Sequence, residues 1–283
     1  MMFLDFFNKI INKIKGVSTR SQNTKKLGLA LGSGGAKGMA HIGALRAFEE
    51  EGIKFNVISG CSIGSIIGGM YASGFSWASI VAYLKELNIT DPQTLIKYKL
   101  SGVTTHRVID RILGGANIED FPLPYGAVAT NLQTGEQVDF TRGNAALAMC
   151  ASSAIPPLFK PFIIGDESYV DGAYVNNVPA DLAKRLGADV VIGINLSVEK
   201  PTNEGILSIL DDKYKGHGVN YCDRSKAGFL NSDLMICPNL TQFTSASVSH
   251  RALLQMEDIG YEETKRRMPE IKKLLKKRKI IAR

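Results

Sequence analysis

The sequence has no H-E-x-x-H among its four histidines (His41, His106, His217, His250) and no C-x-x-C among its four cysteines (Cys61, Cys150, Cys222, Cys237). It also lacks a D-x-D-x-D-G loop. These absences argue against a zinc or calcium centre, so no metal and no cofactor is expected. Cysteines spaced this way suit small buried residues in a reducing compartment. No uninterrupted apolar run reaches the length of a signal-peptide core, still less a membrane span, so a cytoplasmic location is expected. No internal repeat is visible. What is present is ordinary in bulk: 283 residues, 45% hydrophobic and 22% charged, enough to bury a core in one large α/β domain or two small ones. The formal charge of +7 is uneven. Lys9, Lys13 and Lys15 crowd the start, and Lys272, Lys273, Lys276, Lys277, Arg278, Lys279 and Arg283 the finish. Such ends suit an anionic surface, or serve only as solubilising tails. Nucleic acid is not expected, because the basic residues are not interleaved with aromatics.

One pentapeptide organises the rest: Gly60-Cys61-Ser62-Ile63-Gly64. Residues 55–59 before it read as a short β-rich strand, and 65–72 after it as an apolar helix stopped by Gly74. A serine on the sharp turn between such a strand and helix is a nucleophile elbow. Gly60 and Gly64 are then required because a Cβ two residues either side would clash. The bland alternative is a glycine-rich turn with an incidental serine; the strand-turn-helix context favours the nucleophile.

In chain order, 1–16 carries Phe3, Phe6, Phe7, Ile10, Ile11 and Ile14 at helical spacing, with lysines on the other face. That pattern fits peripheral contact with the inner face of an anionic membrane, and equally a helix docked on the protein's own core. A polar linker follows. Residues 27–31 read as a buried strand, Gly32 to Gly38 as a glycine loop and 39–51 as a helix, then the strand and elbow. This order is a parallel βαβ unit, whose right-handed crossover puts the glycine loop and Ser62 at the same sheet edge. The loop is not a P-loop, since Gly38 follows Lys37 where Ser or Thr should hold magnesium. Nor is it a clean dinucleotide fingerprint. Its amides instead suit an anion nest, which beside a serine nucleophile is an oxyanion hole. Residues 76–120 read as mostly helical, 125–130 and 137–140 as strands, 145–153 as an Ala-rich helix, and 161–165 with 168–170 as a hairpin. That hairpin delivers Asp171, Gly172 and Ala173 at a turn. A helix at 178–187, a strand at 189–194, a polar surface loop over 200–232, a strand at 234–237 and a helix at 247–267 complete the pattern.

A serine hydroxyl needs a base to remove its proton. His250 would give the order Ser, Asp, His, although its surroundings read as the opening of the last helix. Asp171 is the other candidate, in a tight turn after a strand. The segments 29–50, 60–64, 151–156 (Ala-Ser-Ser-Ala-Ile-Pro) and Asp171-Gly172-Ala173 together resemble the patatin-like phospholipases, in the family's order and over roughly residues 27–196. The resemblance implies a three-layer α/β/α fold with a central, mostly parallel sheet. It also implies a Ser-Asp dyad, with Ser62 as nucleophile and Asp171 as base, on a phospholipid or other lipid ester. Gly34, Gly35, Ala36, Lys37 and Gly38 would supply the oxyanion amides. Ser33 stands where many members have glycine, and Lys37 where arginine is frequent. A free aspartate, with a pKa near 3.9, is a weak base, so burial beside an acyl groove is expected to raise that value.

The expected organisation is an amphipathic helix and linker over 1–25, a catalytic core over 26–198, the remainder of the same domain over 199–268 and a basic tail over 269–283. Two rivals stand beside a lipid acyl hydrolase. One is a Ser-His-Asp esterase on small soluble esters; the other is a membrane-associated regulatory protein with little turnover.

Overall fold

The computed structural model describes residues 25–86, 102–156, 159–197 and 226–280. The amphipathic segment 1–16 lies outside these residues, as does most of the 200–232 loop.

Strand β1 (Leu27–Leu31) shows why the middle of the sheet is buried on both sides. Leu27, Leu29 and Leu31 project to one face and join Ile42, Leu45 and Phe48 of α1 (Met39–Glu50) in the main core. Gly28 and Ala30 face the other way, and their small size lets α6 (Ala180–Arg185) approach through Ala183. Helices therefore cover both faces, as a parallel strand requires. The other described elements are β2 (Val57–Cys61), α2 (Ile63–Ala72), α3 (Trp77–Glu86), α4 (Gly102–Leu113), β3 (Tyr125–Asn131), β4 (Gln137–Phe140), α5 (Ala145–Ser152), β5 (Phe162–Ile164), β6 (Glu167–Asp171), β7 (Val190–Ile194), α7 (Lys226–Asn231), β8 (Leu234–Ile236) and α8 (His250–Arg278).

The eight strands form one sheet. Strands β8, β7, β1, β2 and β3 are parallel neighbours in that order. β4 and β6 pair antiparallel with β3, and β5 pairs with β6. This is the expected three-layer, mostly parallel α/β/α architecture. Among the described residues no helix is long and apolar enough to cross a membrane.

Several elements differ from the sequence reading. β2 begins and ends two residues later than expected, so the strand runs straight into the elbow. The helix expected over 178–187 is shorter, because Pro179 becomes its N-cap. Part of the segment read as a surface loop is α7, where a Cβ on Gly228 would lie 2.8 Å from the Val178 side chain. The last helix does not stop at Arg267 but continues through Pro269 to Arg278. Its buried stripe of Leu253, Met256, Gly260, Thr264, Met268, Ile271 and Leu275 continues past the proline, and that burial outweighs the lost hydrogen bond. Residues 269–278, read as a basic tail, are the end of this helix. Cys61 and Cys150 are buried as expected, but Cys237, in the open segment after the three-residue β8, is exposed.

Candidate active site

Register in the sheet brings two distant residues face to face. Val128 of β3 pairs with Cys61 of β2 on one side and Asp139 of β4 on the other. The next residue, Ala129, pairs with Val138 of β4 and Asp171 of β6. β2 and β6 therefore share one edge of β3, meeting end to end, with β4 on the opposite edge. β2 ends at Cys61 and β6 at Asp171, so the next residue of the first strand meets the last of the second. Ser62 Oγ donates a hydrogen bond to Asp171 Oδ2 at 2.5 Å, and both residues are buried.

Each partner is held from several directions. Ser62 has φ 54° and ψ −126°, a conformation that costs a non-glycine residue on the order of 1–3 kcal/mol. A Cβ on Gly60 would come within 2.3 Å of the Gly64 carbonyl oxygen, and one on Gly64 within 2.3 Å of the Leu31 oxygen. The elbow is thus too tight for any other residue at either place. The Ser62 carbonyl accepts from the Ser65 amide at 2.9 Å and the Ser65 hydroxyl at 2.6 Å. Its amide donates to Ser152 Oγ at 2.9 Å. Asp171 Oδ1 accepts from the Ala173 amide at 2.9 Å, and the Cys61 thiol approaches the same oxygen at 3.9 Å. Gly172 permits this turn, because a Cβ there would lie 2.1 Å from the Val128 oxygen.

The glycine loop lies against the elbow, as the βαβ argument requires. A Cβ on Gly38 would strike Ile63 at 2.3 Å, and one on Gly64 would lie 2.6 Å from the Gly32 oxygen. The five loop residues do not present equivalent amides. The chain tightens into a 3-10 turn at Gly35–Gly38, so the Lys37 amide donates to the Gly34 carbonyl at 3.2 Å. The Ala36 amide donates to the Ser245 carbonyl at 2.9 Å. Gly34 and Gly35 retain amides without a partner among the described residues. Lys37 is half-buried, which lowers its pKa.

Sequence reading missed the supports of this loop. The Ser33 hydroxyl donates to the Asn177 side-chain oxygen, and Asn177 Nδ2 to Asn195 Oδ1 at 3.1 Å. The Gly32 carbonyl is bonded to His41 Nε2 at 2.7 Å. A ring nitrogen facing a carbonyl must donate, so Nε2 carries the proton. The signal was a polar residue on the buried face of α1, but nothing in the sequence says what it touches. His250 is the exposed first residue of α8 and takes no part in the Ser62–Asp171 bond.

Burial pushes the His41 pKa down to about 4 from 6.5, against the smaller opposing effect of its bond to Gly32. Between those values the unfolded chain binds a proton that the folded chain does not. Its contribution is complete above pH 6.5 and is lost as the pH falls toward about 4. The loss reaches on the order of 3 kcal/mol. Urea unfolding at pH 7 and pH 4.5 is expected to show a larger stability loss for the native chain than for His41→Gln. Equal losses would assign the acid sensitivity elsewhere.

The patatin-like phospholipase family model matches residues 29–184. An uncharacterised NTE family protein of Mycobacterium tuberculosis is 34% identical over 183 residues, covering 63% of this chain and 51% of that protein. Human patatin-like phospholipase domain-containing protein 6 is 34% identical over 206 residues, covering 67% of this chain and 14% of its own length. The lysophospholipase NTE1 of Yarrowia lipolytica is 32% identical, covering 68% and 14%. The chain thus spans about half the length of the mycobacterial relative and a small part of the eukaryotic ones. Among solved structures, VipD of Legionella pneumophila aligns with a TM-score of 0.58 at 16% identity, over 92% of this chain and 73% of that one. Human GIVD cytosolic phospholipase A2 aligns with a TM-score of 0.52 at 11% identity, over 96% and 63%. These structures share the fold; the family match spans the β1–α1 unit, the elbow and the turn after β6, and by that match the chain belongs to the patatin-like phospholipase family.

Proposed function

We infer that the chain is a serine hydrolase that cleaves carboxylic esters of lipids, of phospholipase A or lysophospholipase type, through a Ser62–Asp171 dyad. The observation that carries this reading is the 2.5 Å bond from Ser62 Oγ to Asp171 Oδ2, buried at the meeting of two strand ends. Asp171 takes the hydroxyl proton as Ser62 Oγ bonds to the ester carbonyl carbon. The carbonyl oxygen gains the negative charge, and the Gly34 and Gly35 amides receive it. Losing one such donor typically removes roughly 3–4 kcal/mol of transition-state stabilisation. The carbon–oxygen bond to the alcohol or lysolipid then breaks, and that leaving group takes the proton from Asp171. Water, deprotonated by Asp171, attacks the acyl-serine ester, and the fatty acid departs as Ser62 recovers its proton.

The lipid class rests on the family and on the lysophospholipase name of one relative. Contact of residues 1–16 with an anionic membrane belongs to the same proposal, and liposome co-sedimentation with and without residues 1–20 tests it. The decisive experiment is incubation of the native chain with a phospholipid and lysophospholipid mixture, read by mass spectrometry. Release of free fatty acid is expected; an unchanged mixture would remove the reading. In the same assay His250→Ala is expected to hydrolyse within about twofold of the native rate, since an exposed residue outside the site contributes little to the barrier. Abolished hydrolysis would restore the Ser-His-Asp alternative.

A further inference from the structure

The segment at the end of α5 holds both members of the candidate dyad at once. Ser152, the last residue of that helix, is fully buried, and its hydroxyl has two bonds. It accepts from the Ser62 amide at 2.9 Å and donates to the Val128 carbonyl at 2.6 Å. Cys61 is the register partner of Val128, so this hydroxyl is inserted between β2 and β3 just where their ladder ends. Two residues later, the Ala154 carbonyl accepts from the Asp171 amide at 3.0 Å. One turn of chain thus grips the backbone of the nucleophile through a side chain and the backbone of the base through a carbonyl.

We propose that Ser152 is a positioning residue that clamps the strained Ser62 backbone and, with Ala154, sets the separation of Ser62 Oγ from the Asp171 carboxylate. The proposal rests on the dyad reading above. Ser62 adopts a left-handed φ that its own chemistry disfavours, so something external must hold it. Ser65 anchors its carbonyl from within α2, and Ser152 anchors its amide from a different layer. Removing the Ser152 hydroxyl leaves a buried amide and a buried carbonyl without their shared partner, both beside the reacting oxygen. The peptide can then rotate to find other partners, and Ser62 Oγ leaves the line to Asp171. Ser153 provides an internal control. Its hydroxyl donates to the Met149 carbonyl at 2.7 Å, back onto the helix it caps and away from both strands.

The test compares Ser152→Ala, Ser152→Thr and Ser153→Ala by steady-state hydrolysis, thermal unfolding and hydrogen exchange at the Ser62 amide. Ser152→Ala is expected to lower kcat roughly 10- to 100-fold with KM changed less than about twofold, the effect of a small misplacement at the reacting atoms. Its Ser62 amide should exchange faster than in the native chain. Ser152→Thr, which keeps the hydroxyl, should recover most of the rate, and Ser153→Ala should match the native chain in both readouts. A native kcat in Ser152→Ala, equal losses in the 152 and 153 variants, or a loss confined to KM would each overturn the clamp. If Ser152→Ala does not fold, Ser152→Cys takes its place: the weaker sulfur bond should lower kcat in a natively melting protein, and a native kcat would refute the proposal. If the native chain hydrolyses no ester, the dyad reading fails, and the clamp is then decided by the Ser62 amide exchange alone.

Discussion

Ser62→Ala is expected to abolish labelling by a fluorophosphonate probe and to lower lipid-ester hydrolysis by roughly 10⁵- to 10⁶-fold, as for other serine nucleophiles removed from an intact site. Asp171→Asn should lower it by about 10³- to 10⁴-fold, because a general base contributes less than the atom that forms the covalent bond. The aspartate change is the more informative of the two. The asparagine oxygen can still accept from the Ala173 amide, and its NH2 group donates to Ser62 Oγ where the carboxylate accepted, so the turn keeps its contacts while losing the ability to take a proton. Thermal unfolding of both variants should stay near that of the native chain. Hydrolysis by Asp171→Asn within tenfold of native would show that another group deprotonates the serine.

The second large effect is on stability. Helices α1 and α8 cross so closely that Gly43 meets backbone and no side chain fits between. A Cβ on Gly43 would lie 1.9 Å from the Glu257 carbonyl oxygen and 2.7 Å from the Tyr261 nitrogen; one on Gly260 would lie 2.1 Å from the Ala40 oxygen. Gly43→Ala must therefore separate the helices. The cost is about 3 kcal/mol, at the upper end for overpacking, since helical backbone cannot rotate aside as a side chain would. The expected fall in melting temperature is roughly 5–10 °C. Polar contacts around the crossing would loosen with it. Arg46 bonds Glu50 at 3.0 Å and lies over the rings of Tyr261 and Trp77 at 4.5 and 5.3 Å, while Lys272 reaches Glu51 at 2.5 Å. A melting temperature within 2 °C of native, by this same conversion roughly 1 kcal/mol or less, would mean that the crossing relaxes freely.

How much could be read in advance follows from how local each cause is. Gly60, Ser62 and Gly64 form their own turn, so the elbow was visible as a five-residue pattern. The placement of the glycine loop followed from crossover handedness. Within that loop, the reading treated five amides alike, and the structure divides them: Ala36 is bonded to Ser245, more than two hundred residues away, and Lys37 turns back to Gly34. No window of the sequence contains both halves of the first contact. The sequence reading ends the last helix at Arg267; Pro269 just beyond is a local breaker, whereas the continuing stripe of Met268, Ile271 and Leu275 is satisfied only by packing elsewhere. Ser152 lies inside the recognised 151–156 motif, yet its two bonds go to the elbow residue Ser62 and to Val128 of strand β3.

The sequence alone determined the chemistry available: a hydroxyl on an elbow, a carboxylate at the end of a hairpin, a run of glycines and the parallel βαβ order that puts the loop and the elbow on one edge. Periodicity, handedness and steric limits at a few glycines act over short stretches, so they are legible in a string of residues. Only the tertiary structure decided that β2 and β6 meet end to end on the same side of β3, placing Asp171 Oδ2 against Ser62 Oγ. It also decided that His250 stays outside, on the exposed start of α8. The reason is that strand register is set by summed pairing and packing across the whole sheet, and a shift of one residue would turn the carboxylate to the opposite face.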